Sequence, residues 1–454
     1  MTGKHKLVTD ALVPMFLAMT LLISITTILC SSNVVAYSPS TYLAKDFKVI
    51  NSSITIVSTV NSVTLTTHNK TYVIVVPGMR CYWSSLLSNS LLTVGSYLGH
   101  PSIALMRLNN HTVRINYLSS LKGSIYDCKV SASGNLVCVG FVMINDTYVS
   151  LIIDGRLNAL LSNKSLIIKV ISCGNACYLR KVISLGSTYI LVGGYAIGSR
   201  YSPMYLTYPL SSGFAAYVAL PNTKLLGITP YLGVISDAAL IRNYLVVSTR
   251  CRDGLAFHFI DLSTYVDRCY YTTEVSGVID SSLISVRNLS RGVSEVFEVI
   301  NAYGLGTCVV GTDSLGNMKY LCGIKGLALK FSKGEALIYA GNGTYKRIYL
   351  SLFSSLRSDE YSMNMEKRSI HLKHVRADVV STYVEPIITL IKHYGQVMPQ
   401  FNNLTTAGSS GLSTVAGSEH TFTRVSEEVP NIAYLLVGIA LFTSYVLIKK
   451  KLTS

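Results

Sequence analysis

The chain has 454 residues, with 39 Lys+Arg against 23 Asp+Glu and a formal net charge of +16. Hydrophobic residues make up 49% and charged residues only 14%, below the roughly 25% of soluble domains, and the mean hydropathy is +0.41. These values exclude a disordered chain and a small disulfide knot, and long apolar runs are too few for a polytopic transporter.

In chain order, Lys4, His5 and Lys6 precede an uncharged stretch at 11–29 that is interrupted by Pro14. Val34 and Ala36 occupy the −3 and −1 positions of a signal-peptidase site before Tyr37, so 1–36 is expected to be a signal peptide or a retained N-terminal anchor. Leu29 is too bulky for Cys30 to be read as a lipoprotein attachment site.

Residues 37–401 carry a recurring unit in which a β-rich run rises to a Gly or Ser, turns, and descends in a second β-rich run. Its clearest copies are 135–153 and 243–262. Further copies are 90–108, 190–220, 307–324 and 336–352, with a degenerate seventh at 54–76. Each run is short, rich in Val, Ile, Leu, Tyr and Thr, and bounded by turn residues. The markers Gly95, Gly140, Gly194, Ser248 and Gly311 are spaced by 45, 54, 54 and 63, and Gly341 follows after only 30. Roughly 45 residues suit a four-stranded propeller blade. The expectation is an all-β, six- or seven-bladed β-propeller ectodomain, with tandem β-sandwiches as the alternative.

Cysteines fall into local pairs: Cys128 with Cys138, Cys173 with Cys177, Cys251 with Cys269, and Cys308 with Cys322. Cross-strand disulfides are expected if the registers agree, leaving Cys81 either free or paired between chains. A zinc site at Cys173 and Cys177 lacks a second close Cys/His pair. Sequons at Asn51, Asn69, Asn110, Asn145, Asn163, Asn288, Asn342 and Asn403 make a glycoprotein the expectation.

Between 357 and 393 charged residues are about twice as dense as in the chain as a whole, which sets this stretch apart as an exposed hairpin or a closing strand beginning near Val379. His371 and His374 could share a metal only on a helix, because a strand sends them to opposite sides. No metal or cofactor is expected. Ser, Thr and Gly supply close to half of 402–429, the composition of a stalk. The uncharged segment 430–448 is long enough for a single C-terminal transmembrane helix. Lys449, Lys450 and Lys451 follow at once and should hold the tail 449–454 in the cytoplasm, leaving the ectodomain outside.

The units 190–195 (ILVGGY) and 214–220 (FAAYVAL) resemble the glycine-then-paired-strand pattern of kelch-like and related surface propellers. With leader, stalk and Lys-capped anchor, the chain looks like an archaeal membrane-anchored extracellular β-propeller. The double Gly occurs once, at Gly193-Gly194, and Trp83 is the only Trp. The resemblance therefore implies architecture and location, and no chemistry.

No nucleophile elbow, P-loop, dinucleotide fingerprint, zincin motif or calcium loop occurs. Asp237, Asp253, Asp261 and Asp280 form a modest concentration for which turn and strand-end roles are expected, and His258 is expected in the core or facing a channel. Without the terminal segments, 34 basic residues face 22 acidic ones. That balance suits anionic glycans, other envelope components or lipid head groups, and no nucleic-acid signature is present. The first functional expectation is a non-catalytic surface protein for binding, adhesion or envelope assembly, with the loop 200–213 as a contact surface. The alternative is an extracellular polysaccharide hydrolase or lyase at the propeller mouth.

Overall fold

A computed structural model describes residues 43–392 apart from 52–53, 68–69, 88–89, 108–111, 131–134, 163, 173–175, 186–187, 197–211, 220–223, 230–232, 252–253, 290–293, 333–334, 342 and 366–370. The described chain is almost entirely β-strand. Its one α-helix, α1 (Leu157–Ser162), is a single short element.

The strands form consecutive antiparallel meanders. The first comprises β1 (Asp46–Asn51), β2 (Ile54–Ser58), β3 (Val63–Thr67) and β4 (Lys70–Val75). The second comprises β5 (Met79–Leu87), β6 (Ser90–Tyr97), β7 (His100–Arg107) and β8 (Thr112–Leu118). The third has β9 (Lys122–Val130), β10 (Asn135–Ile144), β11 (Thr147–Arg156) and β12 (Ser165–Ser172). The fourth has β13 (Cys177–Leu185), β14 (Thr188–Ala196), β15 (Ser212–Ala219) and β16 (Lys224–Thr229). The fifth has β17 (Val234–Ile241), β18 (Tyr244–Cys251), β19 (Gly254–Asp261) and β20 (Val266–Thr272). In the sixth, β21 (Val278–Ser281) and β22 (Ser285–Asn288) both pair with β23 (Ser294–Ala302), followed by β24 (Gly306–Asp313) and β25 (Met318–Cys322). The seventh has β26 (Ala328–Ser332), β27 (Glu335–Gly341) and β28 (Thr344–Ile348).

Each meander packs its face on the next, because alternation gives every strand an apolar side that must be covered. β1 and β2 lie on β5, β5–β7 on β9, β9–β11 on β13, and β13 and β14 on β17. Phe257 and Tyr270 of the fifth share a core with Val296, Ile300 and Val310 of the sixth, and β22 and β23 meet β26. The circuit closes where Phe47 and Val57 of the first meet Ala328 and Tyr339 of the seventh. There Ala44 N–H donates to the Leu327 carbonyl at 2.9 Å.

Six of the seven repeat units lie within their meanders as expected, beginning on the second strand. The unit at 307–324 falls on β24 and β25, one strand late. Second strands begin at Ile54, Ser90, Asn135, Thr188, Tyr244, Ser294 and Glu335. These starts are far more evenly spaced than the markers, so the uneven 63 and 30 arise from one misplaced marker, Gly311. The markers Gly95 and Gly140, and Gly193 beside the marker Gly194, have a shared cause. β5, β9 and β13 each carry one extra residue opposite their partners, at Tyr82, Tyr126 and Arg180. Facing these bulges are Gly95, Gly140 and Gly193, where a Cβ would lie 1.7, 1.9 and 2.1 Å from the carbonyl oxygens of Arg80, Ser124 and Tyr178. At these three positions only glycine permits that backbone approach, whereas the corresponding bulge at Ser236 of β17 faces Thr249 and the marker Ser248. Gly311 instead faces the ring of Phe297.

After the seventh meander the chain travels back along the outer edges of the others. β29 (Ser354–Leu356) pairs with β25 and β30 (Asp359–Asn364) with β20. β31 (His371–Val384) pairs with β12 over its first half and with β8 over its second, which joins two meanders into one nine-stranded sheet. β32 (Ile387–Lys392) then pairs with β4. The charged stretch at 357–393 is thus an edge belt whose long strand begins at His371, ahead of the expected Val379. His371 and His374 sit three positions apart on this strand, with backbone register opposite Ser172 and Lys169, and no helix carries them.

Candidate functional site

The first strand of nearly every meander puts charged or tyrosyl side chains beside apolar neighbours, and these converge in two tiers. In the mouth tier the bulged residues lead, as expected where an extra residue breaks alternation and re-aims a side chain. The rings of Tyr82 and Tyr126 meet edge-on at 5.0 Å, and Tyr178 lies 6.4 Å from Tyr126. The Arg180 guanidinium sits 4.9 Å over Tyr126 and 5.8 Å from Tyr82, within cation–π range. Its Nε donates to the Ser236 carbonyl at 3.2 Å, while Tyr178 Oη accepts from Ile235 N–H. Arg80 hydrogen-bonds Tyr82, and Arg250 Nη1 donates to the Ile279 carbonyl at 2.6 Å. Lys45 pairs with Asp280, whose carboxylate also accepts Leu43 N–H at 3.0 Å.

This cluster is strongly positive. Lys45 pairs with Asp280, the fields of Arg180 and Arg250 also reach this pair, and Arg80 lies beside Tyr82. Among the described residues no ion pair includes any of the three arginines. Burial lowers the Lys45 ammonium, Asp280 resists this, and the fields of Arg180 and Arg250 add to the lowering. Burial works to raise Asp280, but Lys45 overrides it and leaves the carboxyl below its ordinary range.

The deeper tier is built from interlocked carboxylates. Asp46 accepts Lys48 Nζ at 2.8 Å and Ser84 N–H at 3.2 Å, while Lys48 Nζ lies 3.5 Å over the buried Trp83 ring. Asp127 accepts Val182 N–H at 2.9 Å. Asp237 accepts Lys181 Nζ at 2.8 Å and Ile284 N–H at 2.8 Å. In each case a carboxylate from one meander satisfies a backbone N–H of the next. Buried backbone donors need such partners, and Ser84 and Val182 both lie two residues past a bulge that interrupts the ladder. Lys181 is raised: burial opposes its charge, but Asp237, Asp127 and Asp46 prevail. Asp127 is raised by burial against Lys181 and Lys129, and Lys48 is lowered by burial against Asp46. Lys330 on β26, also lowered by burial, lies in the fields of Asp46, Lys181 and Lys129.

Asp237 and Asp280 therefore depart from the turn and strand-end roles expected of them. Asp237 is a buried and Asp280 a half-buried ion-pair member, and their partners lie far away in sequence. Asp261 does occupy a turn, where it accepts Ser263 N–H at 2.8 Å, and Asp253 lies outside the described residues. His258 sits in the core of the fifth meander. Its Nδ1 is 2.8 Å from Asp267 Oδ2 and its Nε2 is 3.3 Å from Thr249 Oγ1, with Cys269 Sγ at 3.9 Å. Burial disfavours its charge, but Asp267 and then Cys269 outweigh burial and raise it to about 10. Among the described residues no group of three or more His, Cys, Asp or Glu is arranged to hold a metal.

Two expected disulfides are formed, Cys128–Cys138 and Cys308–Cys322, each between residues directly opposite in register with Cα atoms 4.1 and 4.0 Å apart. Cys251–Cys269 is a correction: Cys269 is a buried thiol. Cys251 faces Gly254 while Cys269 faces His258, on strands separated by β19, beyond disulfide reach. Cys177 is buried with its Sγ 3.2 Å from the Ile171 carbonyl, and Cys173 lies outside the described residues. Cys81 is a buried thiol pushed up to about 12 by burial, which removes it from pairing between folded chains. Of the sequons, Asn145 and Asn288 are exposed, Asn145 in the β10–β11 turn and Asn288 at the end of β22. Asn51 ends β1, and Asn69, Asn110, Asn163, Asn342 and Asn403 lie outside the described residues.

The loop 200–213 is described only from Ser212, where β15 begins. Residues 1–36, 402–429, 430–448 and Lys449, Lys450 and Lys451 also lie outside. Among the described residues no helix is long and apolar enough to cross a membrane.

Sequence reasoning misses the axial cluster because its members come singly from many strands. One signal is present: Asp127, Lys181 and Asp237 precede the markers Gly140, Gly194 and Ser248 at nearly the same distance. A charged residue recurring at one phase of an apolar repeat is unlike turn chemistry. The chain matches no family model and no curated protein.

Proposed function

We propose that the chain is a membrane-anchored, extracellular, seven-bladed β-propeller that binds an anionic glycan at its axial mouth without transforming it. Each meander serves as one blade, the first strands line the axis, and the closed circuit of packing supports this reading over paired sandwiches. Two disulfides are consistent with an oxidising compartment. The leader, stalk, transmembrane segment and Lys-capped tail remain the sequence-based part of the proposal.

The observation that carries the binding reading is the pair Arg80 and Arg180 around Tyr82 and Tyr126, with Arg250 in reach of Tyr178, none of the three in an ion pair among the described residues. Guanidinium forks match carboxylate and sulfate oxygens, and tyrosine faces offer an apolar body with a polar tip for a sugar ring. Hydrolysis is less well supported. Asp46, Asp127, Asp237 and Asp280 are each occupied by a lysine or a backbone N–H, so none is free to serve in an acid–base pair.

The test is binding of the purified full-length chain to immobilised acidic and neutral glycans. Retention by acidic glycans, abolished in Arg180→Glu, is the expected result. Equal retention by neutral glycans, or none by acidic ones, would refute the assignment.

A further inference from the structure

The bulges extend beyond the three that face glycines. β17 carries one extra residue at Ser236 and β21 one at Ile279, so the second to sixth meanders share the feature. Contacts link the bulged residues in series. Tyr82 meets Tyr126, and Arg180 lies over Tyr126. Arg180 Nε then donates to the Ser236 carbonyl at 3.2 Å, and Arg250 Nη1 to the Ile279 carbonyl at 2.6 Å. Ile279 therefore belongs to the same cluster as the tyrosines and arginines, but its side chain is aliphatic and 55% exposed. Two residues ahead of it, no more than about 7 Å along the chain, the Gly277 carbonyl accepts Tyr303 N–H at 3.0 Å. A Cβ on Gly277 would lie 3.2 Å from Tyr303 Cβ, so the tyrosine is seated against the glycine. Tyr303 and Leu305 lie in the turn between β23 and β24 and are 83% and 41% exposed. Turn positions ordinarily take Gly, Asn, Asp or Ser, as Asn145 and Asp146 show in the β10–β11 turn. Water surrounds most of the Tyr303 side chain, so the fold draws little stability from it.

We infer that Ile279, Tyr303 and Leu305 form a subsite for an uncharged sugar beside the arginines, so that the ligand joins an acidic sugar to an N-acetylated neutral one. The inference rests on the glycan-binding reading and specifies its ligand. An acidic sugar held at Arg180 and Arg250 leaves its linked neighbour within reach of Tyr303, because Arg250 already touches the Ile279 backbone. A tyrosine ring suits the C–H face of a sugar, and the aliphatic side chains of Ile279 and Leu305 suit an acetyl methyl group. None of the three is charged, so the patch offers a second anionic sugar no counter-charge of its own.

The experiment uses the full-length chain with glucuronate and the hyaluronan disaccharide, which carry one carboxylate each and differ by one N-acetylglucosamine. Titration calorimetry is the readout. The disaccharide should bind roughly fivefold more tightly than glucuronate. The double variant Ile279→Ser/Tyr303→Ala should erase that gain and leave glucuronate affinity unchanged, which also shows that the variant is folded. Tyr303→Ala alone, at an exposed turn position, should remove most of the gain, and Tyr303→Phe should keep it. Arg180→Gln should weaken both ligands. A disaccharide no tighter than glucuronate, or a gain that survives these variants, would overturn the subsite and leave binding of an acidic sugar intact. Absence of binding by glucuronate, the disaccharide and polymeric hyaluronan alike would overturn both.

Discussion

The axial tiers and the His258 cluster use similar side chains to opposite ends. In the fifth meander one imidazole meets one carboxylate, both fully buried, and the charges balance locally. In the two-tier cluster, cations outnumber carboxylates and several guanidinium and ammonium groups retain contact with solvent. A buried charge must be paired where it stands, because desolvation would otherwise neutralise it. An excess of charge persists only where water can reach it. The first arrangement serves the fold, and the second keeps charge that the fold does not neutralise.

That contrast predicts a graded series of stability effects. The largest belongs to the His258 pair. Asp267→Ala strips the imidazolium of its counter-charge, and removing one member of such a pair costs about 3–5 kcal/mol. Denaturant unfolding should show that loss, and NMR titration should find His258 far below its native value of about 10. Because that value is raised above 6.5, the pair's contribution is complete below pH 6.5 and disappears as pH rises towards about 10. A melting temperature independent of pH across this window would remove the ionic account.

A second effect of nearly that size concerns backbone contact. Gly140→Ala would place a Cβ 1.9 Å from the Ser124 carbonyl oxygen. Either the Tyr126 bulge or the hairpin must shift, at a cost of roughly 2–4 kcal/mol. Gly99 meets nothing within 4 Å, so Gly99→Ala should register only its left-handed backbone, about 1 kcal/mol.

The third effect has the opposite sign. Glu298 is fully buried beside Ser248 and Ser281, and neither carboxyl oxygen has a well-formed hydrogen bond among the described residues. Burial raises it to about 8 from an ordinary 4.5. The unfolded chain ionises first, so this group costs stability increasingly from pH 4.5 to 8 and holds that cost above it. Glu298→Gln should therefore stabilise the chain at pH 7 by about 2 kcal/mol, with no gain at pH 4. A destabilising substitution at both values would assign Glu298 to the balanced class represented by Asp267.

How much is legible in the sequence follows from the range of each interaction. The hairpins, and the Cys128–Cys138 and Cys308–Cys322 bridges, are readable because turn residues and strand lengths fix register locally. The marker in the sixth meander is misplaced because Gly311 satisfies the same sequence pattern while meeting a ring, and only pairing partners distinguish the two cases. The belt stands out as a charged stretch, but its partners on β8, β12 and β4 lie far back in the first half of the chain, with no turn to announce them. The axial cluster is the least legible part. Asp237 looks like a turn acid until the neighbouring meanders supply the Lys181 ammonium and the Ile284 N–H.

The smallest effect separates the two regions most cleanly. Arg80 is exposed, hydrogen-bonds only Tyr82 among its described partners, and lies with Arg180 in the field of that ring. Removing its charge relieves repulsion from like charges and sacrifices one solvent-exposed hydrogen bond. Arg80→Gln should therefore change unfolding stability by no more than about 0.5 kcal/mol, and any change should shrink with added salt. The same variant should weaken retention on acidic glycans. A residue whose loss leaves the fold indifferent and the ligand affected belongs to the binding surface, the pattern expected where side chains are kept for function at no gain in stability. Equal losses of stability and binding would place Arg80 with His258, as part of the scaffold.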